Sequence, residues 1–307
     1  MLRPGPAKVM TSPISTGKLA GTLALVLSAA TFVPSLACGT TAQRAHSGAQ
    51  DRAHPAIVGG TIAPADTFPY VAEVIDQLGR QEVGLCTGTV VAPTLILTAG
   101  HCAENLRTGI PNAAAGYRVM TEGAGGSQAE GQISAVSGVI VYEGFRRRVD
   151  AGDAALLVLS TPTTAPAIAL ASSDAGALRA GATATIAGFG DTSFGQRGPT
   201  RALHRATTVV QGDRWCKRNA PPFYASEEIC TIDAPSYATG VCFGDSGGPL
   251  LSTSDSGGEP VEIGISVHVY GRCSTRHPSV FTRVDRIAAW VDSWIAAYRS
   301  PPSPPAA

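Results

Sequence analysis

Residues 240–251 read GVCFGDSGGPLL, and this stretch places Gly244, Asp245, Gly247 and Gly248 around one serine, Ser246. Glycine lacks a Cβ, so it suits tight turns and lets other groups approach the backbone closely. The serine could belong to an ordinary turn, or it could be a nucleophile that must admit a substrate carbonyl group. A serine hydroxyl is a weak nucleophile unless a base removes its proton, so the second interpretation requires a histidine and a carboxylate elsewhere in the chain.

Only one of the six histidines has a distinctive sequence context. His101 follows the apolar segment TLILTAG and precedes Cys102, so a disulfide there would hold the imidazole at the end of a strand. The candidate carboxylate is Asp153, which opens the apolar segment DAALLVL. It could be held away from water at the start of a buried strand, or it could be a turn residue with no chemical role.

From residue 57 onward, short apolar runs alternate with Gly, Pro, Ser and Asn, which predicts many short β-strands in a sandwich or barrel. Apolar residues at intervals of three and four predict one amphipathic helix over about 285–298, with Asp285 as its N-cap. The 23 basic and 23 acidic residues cancel, so no electrostatic attraction to nucleic acid is expected. The local run 146–148, three arginines, is interpreted as a solvated loop.

The first 37 residues are interpreted as a secretory signal peptide. A basic start precedes the apolar run LAGTLALVLSAATFVPSLA, in which Ser35 and Ala37 form a small-x-small end, and interruptions by Gly, Thr and Pro argue against a permanent membrane span. Residues 38–56 are interpreted as a linker or pro-segment and residues 301–307 as a Pro-rich tail. We therefore expect a secreted or cell-surface protein.

Seven cysteines fit an oxidising compartment outside the cytoplasm. Six of them follow residue 57 and can form three disulfides, although spacing alone does not select the pairing. The chain contains no CxxC motif and no two histidines at metal-ligand spacing, so we predict no metal site and no cofactor.

The seventh cysteine, Cys38, directly follows SLA at the end of the apolar run. This resembles a bacterial lipoprotein signal, in which the cysteine carries lipid, although Ser35 departs from the usual aliphatic residue. Ordinary cleavage after Ala37, leaving a free thiol, explains the pattern equally well. A membrane would be a partner only through a lipid on Cys38, and the intact mass of the membrane fraction distinguishes the two possibilities.

Four motifs occur together in the order found in trypsin/chymotrypsin-like serine proteases, and the chain from 57 to about 298 resembles that family. They are IVGG at 57–60, LTAGHC at 97–102, DAALL at 153–157 and GDSGGPL at 244–250. The departures are small: Gly100 stands where the family often has Ala, and Ala154 where it often has Ile.

The resemblance implies an all-β fold of two antiparallel six-stranded β-barrels, chymotrypsin-like, with a C-terminal helix. The protease domain would span 57–300, with the first barrel over about 57–165 and the second over about 166–284. It also implies three disulfides, namely Cys86–Cys102, Cys216–Cys230 and Cys242–Cys273. We expect a monomer that acts on protein or peptide substrates and that protein protease inhibitors could bind.

The resemblance further implies hydrolysis of peptide bonds through an acyl-enzyme. Ser246 would be the nucleophile, His101 the general base and then the general acid, and Asp153 the carboxylate that orients His101. The N–H groups of Gly244 and Ser246 would bind the oxyanion. Ile57, made N-terminal by cleavage of a precursor, would pair with Asp245 beside the nucleophile.

The residues at the expected substrate pocket predict a preference for small aliphatic side chains. Gly240, six residues before Ser246, occupies the floor position where trypsin-like members have Asp. Ser279 and, in a poorly aligned segment, Val269 occupy wall positions that are Gly in members accepting large side chains, so we expect a shallow, elastase-like pocket. Such a pocket would accept Ala56, which precedes Ile57, so we expect the mature enzyme to cleave its own precursor in trans.

Two other functions fit parts of the sequence. A catalytically silent binding protein could use the same fold, although such proteins usually lack one of the three residues that are all present here. The segment GDSGG also fits the G-x-S-x-G nucleophile elbow of α/β-hydrolases, with His277 as the later histidine. That fold needs alternating parallel βα units, and the sequence does not contain them.

Overall fold

The computed structural model describes residues 57–64, 66–78, 81–121, 131–149, 151–172, 178–194, 202–252 and 259–299. The predicted signal peptide, the linker with Cys38 and Ala56, and the Pro-rich tail lie outside these described residues. Among the described residues, no helix is both long enough and apolar enough to cross a membrane.

The first half of the described chain forms nine strands. They are β1 (Thr61–Ile62), β2 (Val71–Leu78), β3 (Gln81–Ala92), β4 (Leu95–Thr98), β5 (Glu104–Asn105), β6 (Ile110–Pro111), β7 (Tyr117–Thr121), β8 (Gln132–Val141) and β9 (Ala155–Leu159). Six of these close into an antiparallel barrel in the order β2, β3, β4, β9, β8, β7. All residues of β4 and β9 are buried, and the two strands pair with each other in the barrel. Strands β5 and β6 form a separate hairpin.

The second half forms seven strands and two helices. They are β10 (Ala169–Leu170), β11 (Thr183–Gly188), β12 (His204–Val210), α1 (Asp213–Asn219), β13 (Glu228–Ile232), β14 (Pro249–Ser252), β15 (Val261–His268), β16 (Ser279–Arg283) and α2 (Val284–Arg299). Strands β12, β11, β14, β15, β16 and β13 pair in that order, and β13 pairs back with β12. The sheet is therefore a second closed six-stranded barrel, and the predicted fold class is confirmed.

The strand that comes after Ser246 excludes the α/β-hydrolase alternative. A nucleophile elbow requires a helix immediately after the serine. Here the serine is followed by β14, which pairs antiparallel with both β11 and β15. His277 lies in an exposed turn, where its N–H donates to the Ser274 carbonyl.

The C-terminal helix packs on the barrels through the predicted apolar stripe. Ile287 and Val291 are buried, and the Trp290 ring lies 5.2 Å from the Tyr142 ring of the first barrel. Asp285 does not cap the helix, because α2 begins one residue earlier. Its carboxylate instead accepts hydrogen bonds from Arg283 Nε (2.9 Å) and Nη2 (2.7 Å).

The two barrels share a buried carboxyl group. Glu262 on β15 is fully buried, and its Oε2 accepts a 2.7 Å hydrogen bond from Thr89 Oγ1 on β3. Its Oε1 has no hydrogen-bond partner among the described residues, and burial raises the pKa of Glu262 to about 8. The buried hydroxyl of Tyr70 also lacks a partner among the described residues, and its pKa is raised by burial and by the Glu262 charge. The interface therefore favours the protonated form of Glu262.

We expect Glu262→Gln to make stability less dependent on pH. With its pKa raised from 4.5 to about 8, folded Glu262 keeps a proton that the unfolded chain releases. Its contribution to stability is complete below pH 4.5 and is lost as the pH rises through about 8, by at most about 1.4 kcal/mol per pH unit. Glutamine cannot ionise, so urea unfolding across this range should give a flatter profile.

The matched control is Glu259→Gln, which changes an exposed glutamate close in sequence and should keep the native pH profile. Equal pH slopes for the Glu262→Gln variant and the native protein would show that Glu262 does not titrate as its burial indicates.

Candidate active site

His101 and Asp153 meet at the edge of the first barrel. His101 lies in a short 3₁₀ turn, Gly100–Cys102, directly after β4, and Asp153 lies two residues before β9, the strand that pairs with β4. Asp153 Oδ1 accepts the His101 backbone N–H at 2.8 Å, and Asp153 Oδ2 lies 2.6 Å from His101 Nδ1. Asp153 is fully buried whereas the His101 side chain is 23% exposed. The carboxylate therefore holds an imidazole that is still partly accessible to solvent.

The glycine at position 100 has a physical explanation in this structure. A Cβ there would lie 2.9 Å from Asp153 Oδ1 and 2.8 Å from Phe145 Cδ1. The ring of Phe145 thus fills the space in which an alanine methyl group would have to sit. This departure from the family pattern accommodates Phe145 beside the His101–Asp153 pair, and the sequence motif did not reveal it.

The backbone of Ser246, from the second half of the chain, contacts the first barrel near His101. Its carbonyl accepts a 2.8 Å hydrogen bond from the Thr87 N–H on β3. The next residue, Gly247, packs so closely on the first barrel that a Cβ would overlap Thr98 Oγ1, on the strand that leads to His101. The structure therefore brings together the loops that carry the three residues selected from the sequence.

The side chain of Thr87 connects the barrels at the loop 242–248, which carries the candidate nucleophile Ser246 and is called the nucleophile loop. Its hydroxyl donates to the Gly244 carbonyl at 2.9 Å and accepts the Phe189 N–H at 3.1 Å. Thr87 is fully buried, so these bonds are protected from water. Sequence reasoning missed this residue, because a threonine within an apolar strand has no distinctive pattern.

Two backbone N–H groups at the nucleophile loop are available to a ligand. Among the described residues, neither the Gly244 nor the Ser246 N–H donates an intramolecular hydrogen bond. Gly244 has φ +92°, a conformation that side-chain-bearing residues rarely adopt. Two N–H groups without acceptors, on residues 244 and 246, can bind an oxygen atom that develops negative charge.

Asp245 lies between Gly244 and Ser246, and its carboxyl group is buried. Its Oδ1 accepts the Gly190 N–H at 2.9 Å and its Oδ2 accepts the Cys242 N–H at 2.8 Å. Burial raises the pKa of Asp245 to about 7, and the hydrogen bonds only partly oppose this effect. Among the described residues it has no cationic partner. Ile57 is fully buried. The next residue, Val58, forms an isolated antiparallel β-bridge with Gly240, five residues before Asp245.

Of the three residues predicted to line a substrate pocket, Gly240 and Ser279 lie close to each other. A Cβ on Gly240 would lie 3.9 Å from Ser279 Oγ and 3.6 Å from Thr275 Cγ2, which are ordinary contact distances. The Ser279 hydroxyl also accepts the Val241 N–H at 3.4 Å. Val269 is half-buried just beyond β15. Sequence reasoning missed Thr275, although its position two residues after Cys273 could have suggested it.

Three disulfides connect the same cysteine pairs that the resemblance implies: Cys86–Cys102, Cys216–Cys230 and Cys242–Cys273. Cys86 and Cys102 lie within 4.8 Å of a His101 ring nitrogen, a grouping that resembles a metal site. Their sulfurs are bonded to each other and are not thiolates, so they are poor metal ligands.

The arginine run 146–148 lies in the loop before Asp153, and its three side chains are exposed. Arg146 Nη2 lies 2.7 Å from Glu227 Oε1, and Arg147 Nη1 lies 3.4 Å from Glu104 Oε1 on the β5–β6 hairpin. The run is therefore solvated, and two of its three charges are compensated within the molecule.

Comparisons with known proteins find a matching family and related sequences. The family model Trypsin matches residues 57–291. A trypsin from Saccharopolyspora erythraea is 28% identical over 228 residues, which cover 74% of this chain and 93% of that protein. Serine protease 56 from Homo sapiens is 33% identical over 267 residues, which cover 81% of this chain and 40% of that protein.

A solved structure described as "Structure of GrC" has the same fold. It aligns with a TM-score of 0.65 at 23% sequence identity and covers 78% of this chain and 100% of that chain. At this identity the likeness concerns the fold alone.

We expect Thr87→Val to slow the reaction of Ser246 with a serine-directed organophosphonate by about tenfold. Valine keeps the shape of threonine but leaves the Gly244 carbonyl and the Phe189 N–H without a buried partner, at a cost of about 1–3 kcal/mol. The Gly244 peptide would then be less well oriented. The rate of covalent modification, followed by intact mass, measures the effect.

Thr87→Ser is the matched control, since it retains the hydroxyl and should restore most of the rate. If valine and serine variants react equally fast, the hydroxyl does not position the loop.

Proposed function

This chain belongs to the trypsin family of serine proteases and is a serine endopeptidase, and we propose that it cleaves peptide bonds through Ser246, His101 and Asp153. The observation that carries this proposal is the double hydrogen bond between buried Asp153 and His101, at 2.8 and 2.6 Å. Because Asp153 binds the Nδ1 edge of the imidazole, the Nε2 edge is the one proposed to act on Ser246.

In the proposed mechanism, His101 takes the proton of the Ser246 hydroxyl as the oxygen attacks the scissile carbonyl carbon. Asp153 accepts the Nδ1 hydrogen and stabilises the positively charged imidazolium. His101 then gives the proton to the leaving amine, the C–N bond breaks, and an acyl-enzyme remains on Ser246. Water attacks this ester, with His101 again as the base, and releases the acid product.

The N–H groups of Gly244 and Ser246 are proposed to bind the negatively charged oxygen of the tetrahedral intermediate. Both lack an intramolecular acceptor among the described residues. The Thr87 hydroxyl supports this role, because it fixes the Gly244 carbonyl in place. Charge stabilisation by such preorganised donors typically contributes a few kcal/mol per donor.

We propose that cleavage before Ile57 activates a precursor. With a pKa of about 7, Asp245, which is buried without a cation among the described residues, binds a proton readily near neutral pH. The ammonium group of a newly formed Ile57 terminus would favour the carboxylate and stabilise the segment between Cys242 and Ser246. A buried ion pair of this kind contributes only when its geometry is good, so its formation would depend on the cut.

The pocket formed by Gly240, Val269 and Ser279 is proposed to accept a small aliphatic side chain before the scissile bond. Gly240 carries no charge for Lys or Arg, and the Ser279 side chain and Thr275 approach the floor. An overfilled pocket loses transition-state binding, so Ala and Val would be favoured over Phe and Arg.

The site of action is proposed to lie outside the cytoplasm. Residues 1–37 have the pattern of a signal peptide, and three disulfides require an oxidising compartment for their formation. Protein and peptide chains that share this compartment would be the substrates of the domain from 57 to 300.

Covalent labelling tests the proposed catalytic role. We expect a serine-directed organophosphonate to modify the processed protein once per chain, at Ser246, as identified by peptide mass mapping. The Ser246→Ala variant should remain unmodified, and His101→Ala should react at least about a hundredfold more slowly without its base. Failure to label the processed native protein would favour a catalytically silent binding protein.

Processing of an inactive precursor tests both activation and the pocket. The Ser246→Ala precursor, mixed with a trace of active native enzyme, should acquire the N-terminal sequence IVGG. The Ala56→Arg form of this precursor should be processed more slowly by the native enzyme and faster by trypsin, because arginine would overfill the small pocket. Cleavage elsewhere, or faster processing of the arginine form by the native enzyme, would refute this account.

A further inference from the structure

Two half-exposed phenylalanine rings lie beside the candidate oxyanion hole. Phe243 immediately precedes Gly244, and its ring centroid lies 6.0 Å from that of Phe194. Each side chain is 51% exposed. The segment leading to Phe194 packs on the nucleophile loop, since a Cβ on Gly244 would lie 2.7 Å from the Cα of Gly190. Adjacent exposed rings at the edge of a site offer an apolar surface to a bound peptide.

An arginine completes this surface. The guanidinium of Arg272 lies 5.1 Å from the centre of the Phe194 ring, and Arg272 is exposed. Among the described residues it forms no ion pair, and Asp191, close to Phe194 in sequence, does not pair with it. Stacking on a ring leaves the N–H edge of a guanidinium free to bind a carboxylate. We call Phe194, Phe243 and Arg272 the rim cluster.

Covalent and packing constraints hold the rim cluster next to Gly244, one of the two proposed oxyanion donors. Arg272 precedes Cys273, whose disulfide to Cys242 joins it to the residue before Phe243. The guanidinium lies no more than about 11 Å from the Phe243 ring, to judge from the two ring contacts. An extended peptide advances roughly 3.3–3.6 Å per residue, so the span from Phe243, the residue before Gly244, to Arg272 corresponds to at most about three substrate residues.

We propose that the rim cluster binds an acidic side chain of the substrate within three residues of the scissile bond, while a neighbouring apolar side chain packs on Phe194 and Phe243. The carboxylate pairs with Arg272, which has no competing partner among the described residues. The proposal rests on the proposed function, because it names the class of substrate that the same site selects.

A second arginine packs on an exposed aromatic ring and can serve as a control for Arg272 and Phe194. The guanidinium of Arg276 lies 5.7 Å from the centre of the Tyr237 ring. Tyr237 belongs to the turn 233–239, which is tied to β12 by the hydrogen bond from Thr239 Oγ1 to the Thr207 carbonyl (3.0 Å). Substitutions of Tyr237 and Arg276 therefore control for loss of an exposed ring or charge outside the rim cluster.

The experiment compares cleavage-site profiles of the processed enzyme and its variants. A complex peptide mixture is digested, and mass spectrometry identifies the residues on both sides of each cleaved bond. At one position within three residues of the cleaved bond, we expect Asp and Glu to occur about five to ten times as often as Lys and Arg. An exposed ion pair with Arg272 raises the frequency of acidic residues up to about fivefold, and repulsion lowers the frequency of basic ones.

The variants decide whether the rim cluster causes this preference. In Arg272→Gln the ratio of acidic to basic residues should fall to that of the starting mixture, whereas Arg276→Gln should keep the native ratio. Phe243→Ser should reduce the frequency of apolar residues next to the acidic position, and Tyr237→Ser should not. An acidic preference that survives in Arg272→Gln, or no preference in the native enzyme, overturns the proposal.

Failure of the underlying function gives a different result. If the processed native enzyme cleaves no peptide in the mixture, the proposed endopeptidase mechanism fails and the rim proposal fails with it. If cleavage occurs with equal acid-to-base ratios in the native enzyme and Arg272→Gln, only the rim proposal is wrong.

Discussion

The hydrogen bonds of Thr87 hold the two halves of the candidate site in register. The proposed base and its carboxylate lie on one barrel and the proposed nucleophile on the other, so a small rotation between the barrels would separate them. The backbone of Thr87 holds the Ser246 carbonyl, and its hydroxyl holds Gly244 and Phe189. All three contacts are made by one fully buried residue, which ties β3 of the first barrel to the nucleophile loop of the second.

Three buried carboxyl groups near the barrel interface are compensated to different degrees. Asp153 receives two hydrogen bonds from His101, and Asp245 receives two from backbone N–H groups. Glu262 receives a single hydrogen bond, from Thr89, so the protein stabilises it mainly as the neutral acid. Burial of a charge is costly without partners, so Glu262, with one hydrogen bond to its carboxyl group, is less well compensated than Asp153 and Asp245, which have two each.

The proposed substrate selection near Ser246 has two parts, a small pocket at Gly240 and the exposed rim cluster of Phe194, Phe243 and Arg272. Thr275 and Ser279 lie near Gly240, the proposed pocket floor, whereas Phe243 and Arg272 are exposed and directly adjoin the cysteines of the Cys242–Cys273 disulfide. Substrate selection by this protein is therefore proposed to depend on side chains beyond the pocket. An uncharged, shallow pocket that rejects large side chains still distinguishes only weakly among small ones, because one methylene changes binding by about 1–3 kcal/mol.

Short motifs with constrained backbones and cysteines carry information locally, so the fold class, the family and the candidate residues His101, Asp153 and Ser246 could be predicted from the sequence. It did not reveal Thr87, Phe145 or Thr275, since a threonine or phenylalanine in a strand or loop has no distinctive pattern until its neighbours are known. It misplaced Asp285, whose carboxylate binds Arg283 instead of capping the helix. Contacts between distant segments became visible in the folded chain alone, because hydrogen bonds such as that from Thr87 to Gly244, 157 residues apart, depend on how the two barrels pack.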